Sequence, residues 1–422
     1  MKLAFCAMAP ARPGATGAPH PARLGGVLLR WFLAVLLVAG AVAPATAADA
    51  LEVPIVYLTL AEQPRPPLSL VEPTLHDEGV AGAKVGIDDN NTTGRFLNQS
   101  YSLTEVVAED WQALTAEVAR LLAEGRRYFV ADVGAEPLLA VADLAGAEQA
   151  LIFNVRAEDD GLRIADCRPN LLHVIPSRAM KADALAQFLM ARRWSRWFLV
   201  EGQQPDDRAF AEALRRAAGR FGARIVETRP YDYDPMARRT DTGHVQIQRQ
   251  MTALTQEVPD YDVLVVADES DLFGEYLPYR TWDPRPVVGT QGLVPTAWHR
   301  SQEQWGGTQM QTRFENAAGR GMVERDYAAW VAVRAIGEAV TRGSGAEAES
   351  VKGYLLSDAF RLGAFKGEGL TFRPWNQQLR QPMLLASARM LASVSPQEGY
   401  LHERTPLDSL GYDEPESDCR LN

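Results

Sequence analysis

Hydrophobic positions along the chain fall into two kinds of pattern that alternate almost throughout. Residues 54–60 form a short apolar run rich in β-branched and aromatic side chains, which predicts a strand. Trp111, Leu114, Val118, Leu121 and Leu122 then recur at helical spacing, and Gly125 supplies a stop. Residues 128–133 follow at once as a buried strand. A helical stretch over 137–144 leads to another strand at 150–155. The order repeats further on. Residues 197–200 read as a strand, and Pro205 opens a helix with Phe210, Ala213, Leu214, Ala217 and Phe221 on one face and Gly222 just past its end. Residues 224–228 close that unit, and a helix near 245–257 leads to the continuous apolar run 261–267. Such runs separated by amphipathic helices predict parallel sheets covered on both faces.

Two series of this kind, over about 53–173 and 178–267, predict two similar lobes. Residues 172–177 run into Pro176 and read as a hinge. A third alternation, 286–289 followed by a helix over 326–341, is expected to return to the first lobe. Residues 369–373 and 383–390 read as an antiparallel pair added to the second. The expected division is therefore 48–173 plus about 286–362 for the first lobe, about 174–285 plus 363–400 for the second, and a tail over 401–422. Several crossings between lobes permit closure without shearing either core.

The amino terminus adds an address. Lys2, Arg12, Arg23 and Arg30 are its only charges, an apolar run covers 31–43, and Pro44-Ala45-Thr46-Ala47 follows. That is the order of a secretory signal peptide, cleaved after Ala47 and leading to the periplasm. The run is short for a membrane span, which takes about 20 residues. Cleavage removes four bases and no acid, so the formal charge moves from −11 to −15. A chain this acidic has no electrostatic case for nucleic acid. Cys6 would leave with the leader, and Cys167 and Cys419 would remain. An oxidising compartment favours a bridge between them, and a polar tail over 412–418 gives Cys419 little other reason to dock; two free or intermolecular thiols are the alternative.

Particular segments carry a resemblance. Residues 82–97, with Asp88-Asp89-Asn90-Asn91-Thr92-Thr93-Gly94, resemble the first helix and turn of type I periplasmic binding proteins of the branched-chain amino acid kind. In that family a helix ends in an Asn-rich turn before the second strand. Residues 325–336 resemble the family's late long helix. More narrowly, 57–65 and 88–96 resemble the binding proteins of ABC transporters associated with PQQ-dependent alcohol oxidation. The resemblance implies an α/β type I periplasmic binding fold, with two Rossmann-like lobes whose parallel sheets are joined by several hinge strands. It implies the substrate-binding component of an ABC uptake transporter, a monomer holding a small solute between its lobes and handing it to an inner-membrane permease. A link to a PQQ-dependent dehydrogenase system is the finer implication, and a sensor or a dehydrogenase accessory without transport is the alternative. No cofactor of its own is expected. One departure bears on the ligand. The family's amino acid binders hold the zwitterion with Ser and Thr hydroxyls, whereas the corresponding loops here read Gly134-Ala135-Glu136-Pro137 and Asn154-Val155-Arg156-Ala157-Glu158.

In two-lobed α/β proteins ligands sit at the carboxyl ends of the strands. That rule selects Glu62, Arg65, Ala135, Glu136, Arg156 and Glu158 on the first lobe, and Glu201, Tyr231, Tyr233, Asp268 and Glu269 on the second, with Gln291 beside them. Arg156 is either a bidentate partner for a carboxylate or a solvated loop residue. Glu201, Asp268 and Glu269 suit a cation or a hydroxyl, or else stabilise helix amino termini. Tyr231 and Tyr233 either cover an apolar ligand or pack a sheet edge. Trp298 and His299 fall in a loop that the resemblance implies faces the cleft, whereas Trp282 and Trp305 read as structural. The acids over 268–271 lack the spacing of a calcium loop. His-Glu-x-x-His, Gly-x-Ser-x-Gly and the phosphate-loop motif do not occur, so an enzyme is not expected.

Overall fold

The structure is a computed structural model, and it describes residues 50–61, 75–233, 247–343 and 345–421. The expected leader over 1–47, Glu62 and Arg65 lie outside the described residues.

In the first lobe the chain runs β1 (Leu51–Leu60), α1 (Val80–Leu97), β2 (Gln99–Ala108), α2 (Trp111–Ala123), β3 (Tyr128–Asp132), α3 (Ala135–Ala142), β4 (Leu151–Asn154) and β5 (Leu171–His173). The strands form one parallel sheet in the order β2-β1-β3-β4-β5. Leu114, Val118, Leu121 and Leu122 are the buried face of α2, and the Asp110 side chain accepts from the Ala113 amide at its start. The Asn-rich stretch of α1 differs from expectation. It is helical throughout, and the turn before β2 is the single left-handed residue Asn98. Asn90 is buried inside α1, where its amide donates to the Val333 carbonyl.

The second lobe runs α4 (Arg178–Ala191), β6 (Arg196–Gly202), α5 (Pro205–Phe221), β7 (Arg224–Tyr231), α6 (Ile247–Leu254), β8 (Val263–Ala267) and β9 (Val287–Gly289). Its parallel sheet has the order β7-β6-β8-β9. Residues 286–289 therefore do not return to the first lobe: Val287 and Val288 pair with Leu264 and Val265, completing the second sheet. The return comes after β10 (Val294–Thr296). There α7 (Gly307–Ala318), α8 (Glu324–Arg342) and α9 (Ala348–Leu355) follow, and Trp330, Val333 and Ile336 of α8 join Val53, Ile55 and Tyr57 in one core.

The chain then forms β11 (Leu362–Gly363), β12 (Gly369–Phe372) and β13 (Leu379–Arg380), a small antiparallel sheet of its own. Leu370, Phe372 and Leu379 pack into the first-lobe core, so β12 does not pair with residues 383–390 as the pattern suggested. Instead β14 (Met383–Ser387) pairs with β15 (Met390–Ser395) and β10 on the second lobe. Among the described residues, segments at about 174–177, 296–298 and 380–383 thus cross between the lobes. Glutamines lace two of them: Gln378 donates to the carbonyls of His173 and Ile175, and Gln381 to that of Val174. Among the described residues, no helix is long and apolar enough to cross a membrane.

Candidate functional site

Both parallel sheets aim the carboxyl ends of their strands at a cleft of about 550 Å³. Its first-lobe wall comes from Gly134 after β3, residues 155–159 after β4, and Glu324 and Arg325 at the start of α8. Its second-lobe wall comes from Arg178 and Lys181 in the first turn of α4, Asp206 and Phe210 of α5, and the loops after β8 and β9. Ile175, on a crossing segment, and Val294 and Pro295 of β10 line it as well.

Asn154 shapes the loop after β4. Its side-chain oxygen accepts from the amides of Arg156 and Ala157, and its amide donates to the Ala157 carbonyl. This closed turn presents Arg156 and Glu158 to the cleft. Arg156 and Arg325 lie 3.7 and 3.8 Å from Asp132 Oδ1, while the Tyr57 hydroxyl donates to Oδ2 at 2.7 Å.

Two cations of α4 organise the floor. Lys181 Nζ donates to Glu158 Oε1 at 2.6 Å and to Glu324 Oε2 at 2.7 Å. Burial alone would lower the pKa of this lysine, but the charges of Glu158 and Glu324 outweigh it and hold the ammonium charged. Arg178 donates to Glu269 at 2.8 Å and Asp206 at 2.9 Å, and lies 3.3 Å from Asp159. Burial pushes Glu269 up to about 7, with the Glu158 charge adding to it and Arg178 opposing. Ser177 caps α4, its hydroxyl accepting from the Met180 amide, so both cations are presented by a firmly started helix.

Of the expected contacts, Arg156, Glu158, Asp268, Glu269 and Gln291 come together in the cleft wall. Asp268 lines it at one remove, because its carboxylate accepts from the amides of Leu272, Phe273 and Gly274 and from the Ser270 hydroxyl. Gln291 donates to Asp271 at 3.1 Å. Other expected contacts are placed elsewhere. Ala135 and Glu136 begin α3 beyond Gly134 and are not among the lining residues. Glu201 is drawn into an ion pair with Arg215 of α5. Tyr231 is buried against Phe273, ring centroids 4.4 Å apart, and Tyr233 packs on the same apolar cluster. Trp298 does not face the cleft: it is buried and stacked on Tyr327 at 4.6 Å, and His299 bonds Ser301. Trp282 and Trp305, read as structural, are exposed.

Arg178, Lys181 and Glu324 escaped the sequence reading. Helix α4 is buried on most of its circumference and so shows no amphipathic stripe. The one available signal was Ser177 ahead of an Ala-rich run.

A periplasmic binding protein family model matches residues 74–273. No curated protein matches the chain at the level of sequence. Among solved structures, a branched-chain amino acid ABC transporter periplasmic ligand-binding protein from Burkholderia xenovorans is 17% identical, with 87% of this chain and 99% of that one covered and a TM-score of 0.64. A periplasmic binding protein from Burkholderia mallei is 12% identical over 89% and 99%, with a TM-score of 0.63. An ABC transporter substrate-binding protein from Desulfitobacterium hafniense, in complex with Leu, is 14% identical over 82% and 100%, with a TM-score of 0.61. At these identities the likeness is one of fold. The chain has the two-lobed α/β fold, with a parallel sheet in each lobe, of type I periplasmic binding proteins.

Proposed function

We propose that this chain is the solute-capturing component of an ABC uptake system, working in the periplasm and not as an enzyme. One observation carries the reading: a cleft of about 550 Å³, walled by charged side chains from both lobes at the carboxyl ends of both sheets. A solute bridging such walls favours the closed arrangement by its differential affinity, and an inner-membrane permease then reads that arrangement. The cleft volume suits a solute of amino acid size. The names of the solved relatives bring amino acids forward as the ligand class, and the charged lining supports a polar solute over an apolar alcohol. The finer reading, a partner of PQQ-dependent alcohol oxidation, rests on the wording of residues 57–65 and 88–96 alone.

The test is a melting-temperature screen of the purified chain against leucine, valine, short alcohols with their acids, and PQQ. Ligand at 100 times its Kd adds about 2.7 kcal/mol to stability. A saturable shift with one class supports capture and names the class. A flat panel with well-folded protein, together with unimpaired solute uptake in cells lacking the chain, would sink the proposal.

A further inference from the structure

Lys181 sits one turn into α4, on the second lobe, and its ammonium reaches across to two carboxylates of the first. Glu158 Oε1 is 2.6 Å away and Glu324 Oε2 is 2.7 Å away. The lysine side chain is 12% exposed and the two carboxylates 18% and 21%. Both acids are themselves positioned. Glu158 is presented by the turn that Asn154 closes, and Glu324 Oε1 accepts from the Ala297 amide. A cation held by two fixed carboxylates at the wall of a cleft is the arrangement that a solute's ammonium group would need, since a charge leaves water only for paired partners. Here a side chain of the protein already fills it. On the second-lobe wall Arg178 engages Glu269 and Asp206 together.

We propose that Lys181 is a tethered cation standing where an amine solute would place its ammonium, so that the cleft selects solutes presenting a neutral hydrogen-bond donor, such as a hydroxyl, at this end. This rests on the cleft being the capture site. Glu158 Oε2 supports the donor: it is buried in the cleft wall and has no hydrogen-bond partner. A hydroxyl satisfies that oxygen without bringing a second positive charge beside Lys181. An ammonium does bring one, beside a Lys181 that already shares the charges of Glu158 and Glu324, and that repulsion offsets the attraction the two carboxylates would offer it. Lys181 is thereby a specificity-determining residue, and a 2-hydroxy acid suits the site better than the matching 2-amino acid.

The experiment uses Lys181→Ala, which leaves a void shaped for propylammonium. Melting midpoints are compared for the parent chain and the variant with propylammonium chloride, and with propanol plus sodium chloride as control. The variant is expected to melt about 5–10 °C lower, having lost the partner of two part-buried acids. Propylammonium, but not propanol, should restore roughly half of that loss and leave the parent unmoved. Should the variant fail to fold alone, refolding with and without propylammonium gives the same readout. A variant that amine neither stabilises nor refolds overturns the proposal, as does a parent chain that binds leucine more tightly than 2-hydroxy-4-methylpentanoate. Rescue by amine in a chain that binds no solute of any class would keep Lys181 in its assigned place and remove the capture function instead.

Discussion

Cys167 of the first lobe is bonded to Cys419 across a sequence separation of 252, with their Cα atoms 5.5 Å apart. On its way there the tail lies on the second lobe. The Gly411 amide donates to Asp183, and Arg216 and Arg220 donate back to the Gly411 carbonyl. Ser417 then donates to the Arg163 carbonyl. One polar segment therefore touches both lobes and is closed by a covalent bond. Cys419→Ser is expected to lower unfolding stability by about 2–4 kcal/mol, chiefly by freeing the unfolded chain. Denaturant titration with and without reductant checks this: reductant should weaken the parent and leave the variant unchanged.

The tail has a second anchor. Arg373 is almost fully buried; it pairs with Asp408 at 2.8 Å and donates to the carbonyls of Leu407, Leu410 and Tyr412. Arg373→Met should cost about 3–5 kcal/mol, because it leaves a buried carboxylate and three carbonyls short of donors. Arg380, also 2.8 Å from Asp408, should hold the cost near the lower figure. Hydrogen exchange should rise over 407–412 well before it rises in β6 or β8; equal exchange in both variant and parent would contradict this anchoring.

Helices α1 and α8 approach so closely at Gly82 that an added Cβ would lie 1.9 Å from the Asp326 carbonyl oxygen. Asp326 has no room to yield, its side chain accepting from the Gly79 amide and from Arg320. Gly82→Ala is expected to destabilise by about 3 kcal/mol, the upper part of the overpacking range. Gly134 offers the contrast, with nothing within 4 Å of an added Cβ. Gly134→Ala should leave the melting midpoint within experimental error and act only on solute binding, because the new methyl group enters the cleft wall.

Lys366 is a buried amine that donates to Gln381 Oε1 and the Pro382 carbonyl, above the Tyr327 ring. Burial pulls it down from 10.5 to about 7, against the opposing charge of Glu324. Between these values the unfolded chain holds a proton that the folded chain has released, so this group makes stability rise from about pH 7 toward 10.5 and stay level below 7. Lys366→Met should flatten that rise. Urea midpoints at pH 7, 8 and 9 decide it, and parallel slopes for parent and variant would rule the assignment out.

Much of this molecule was legible in the sequence. The strands β1, β3, β4, β6 and β8 are continuous apolar runs because both faces of their sheets are covered. Helices α2 and α5 bury one stripe each, so their period is plain. The expected pairing of Cys167 with Cys419 is present. Strand β2 was not legible, since it lies at the sheet edge with half of its residues exposed and carries little alternation. Helix α4 failed for the opposite reason, being covered nearly all round.

The strand-end rule found the loops of the cleft without finding which side chains use them. Glu158 and Glu269 were visible as loop acids, whereas Glu201 and Tyr231, equal candidates by position, are taken by Arg215 and by the core around Phe273. What the sequence determined by itself was the alternation of buried strand and striped helix, hence two parallel sheets and the ends at which a cleft forms. Only the tertiary structure decided that Lys181 stands between Glu158 and Glu324, 23 and 143 positions away along the chain. The physical reason is that periodicity records which face of an element is buried, whereas the partner of a charged side chain depends on how the two lobes approach each other.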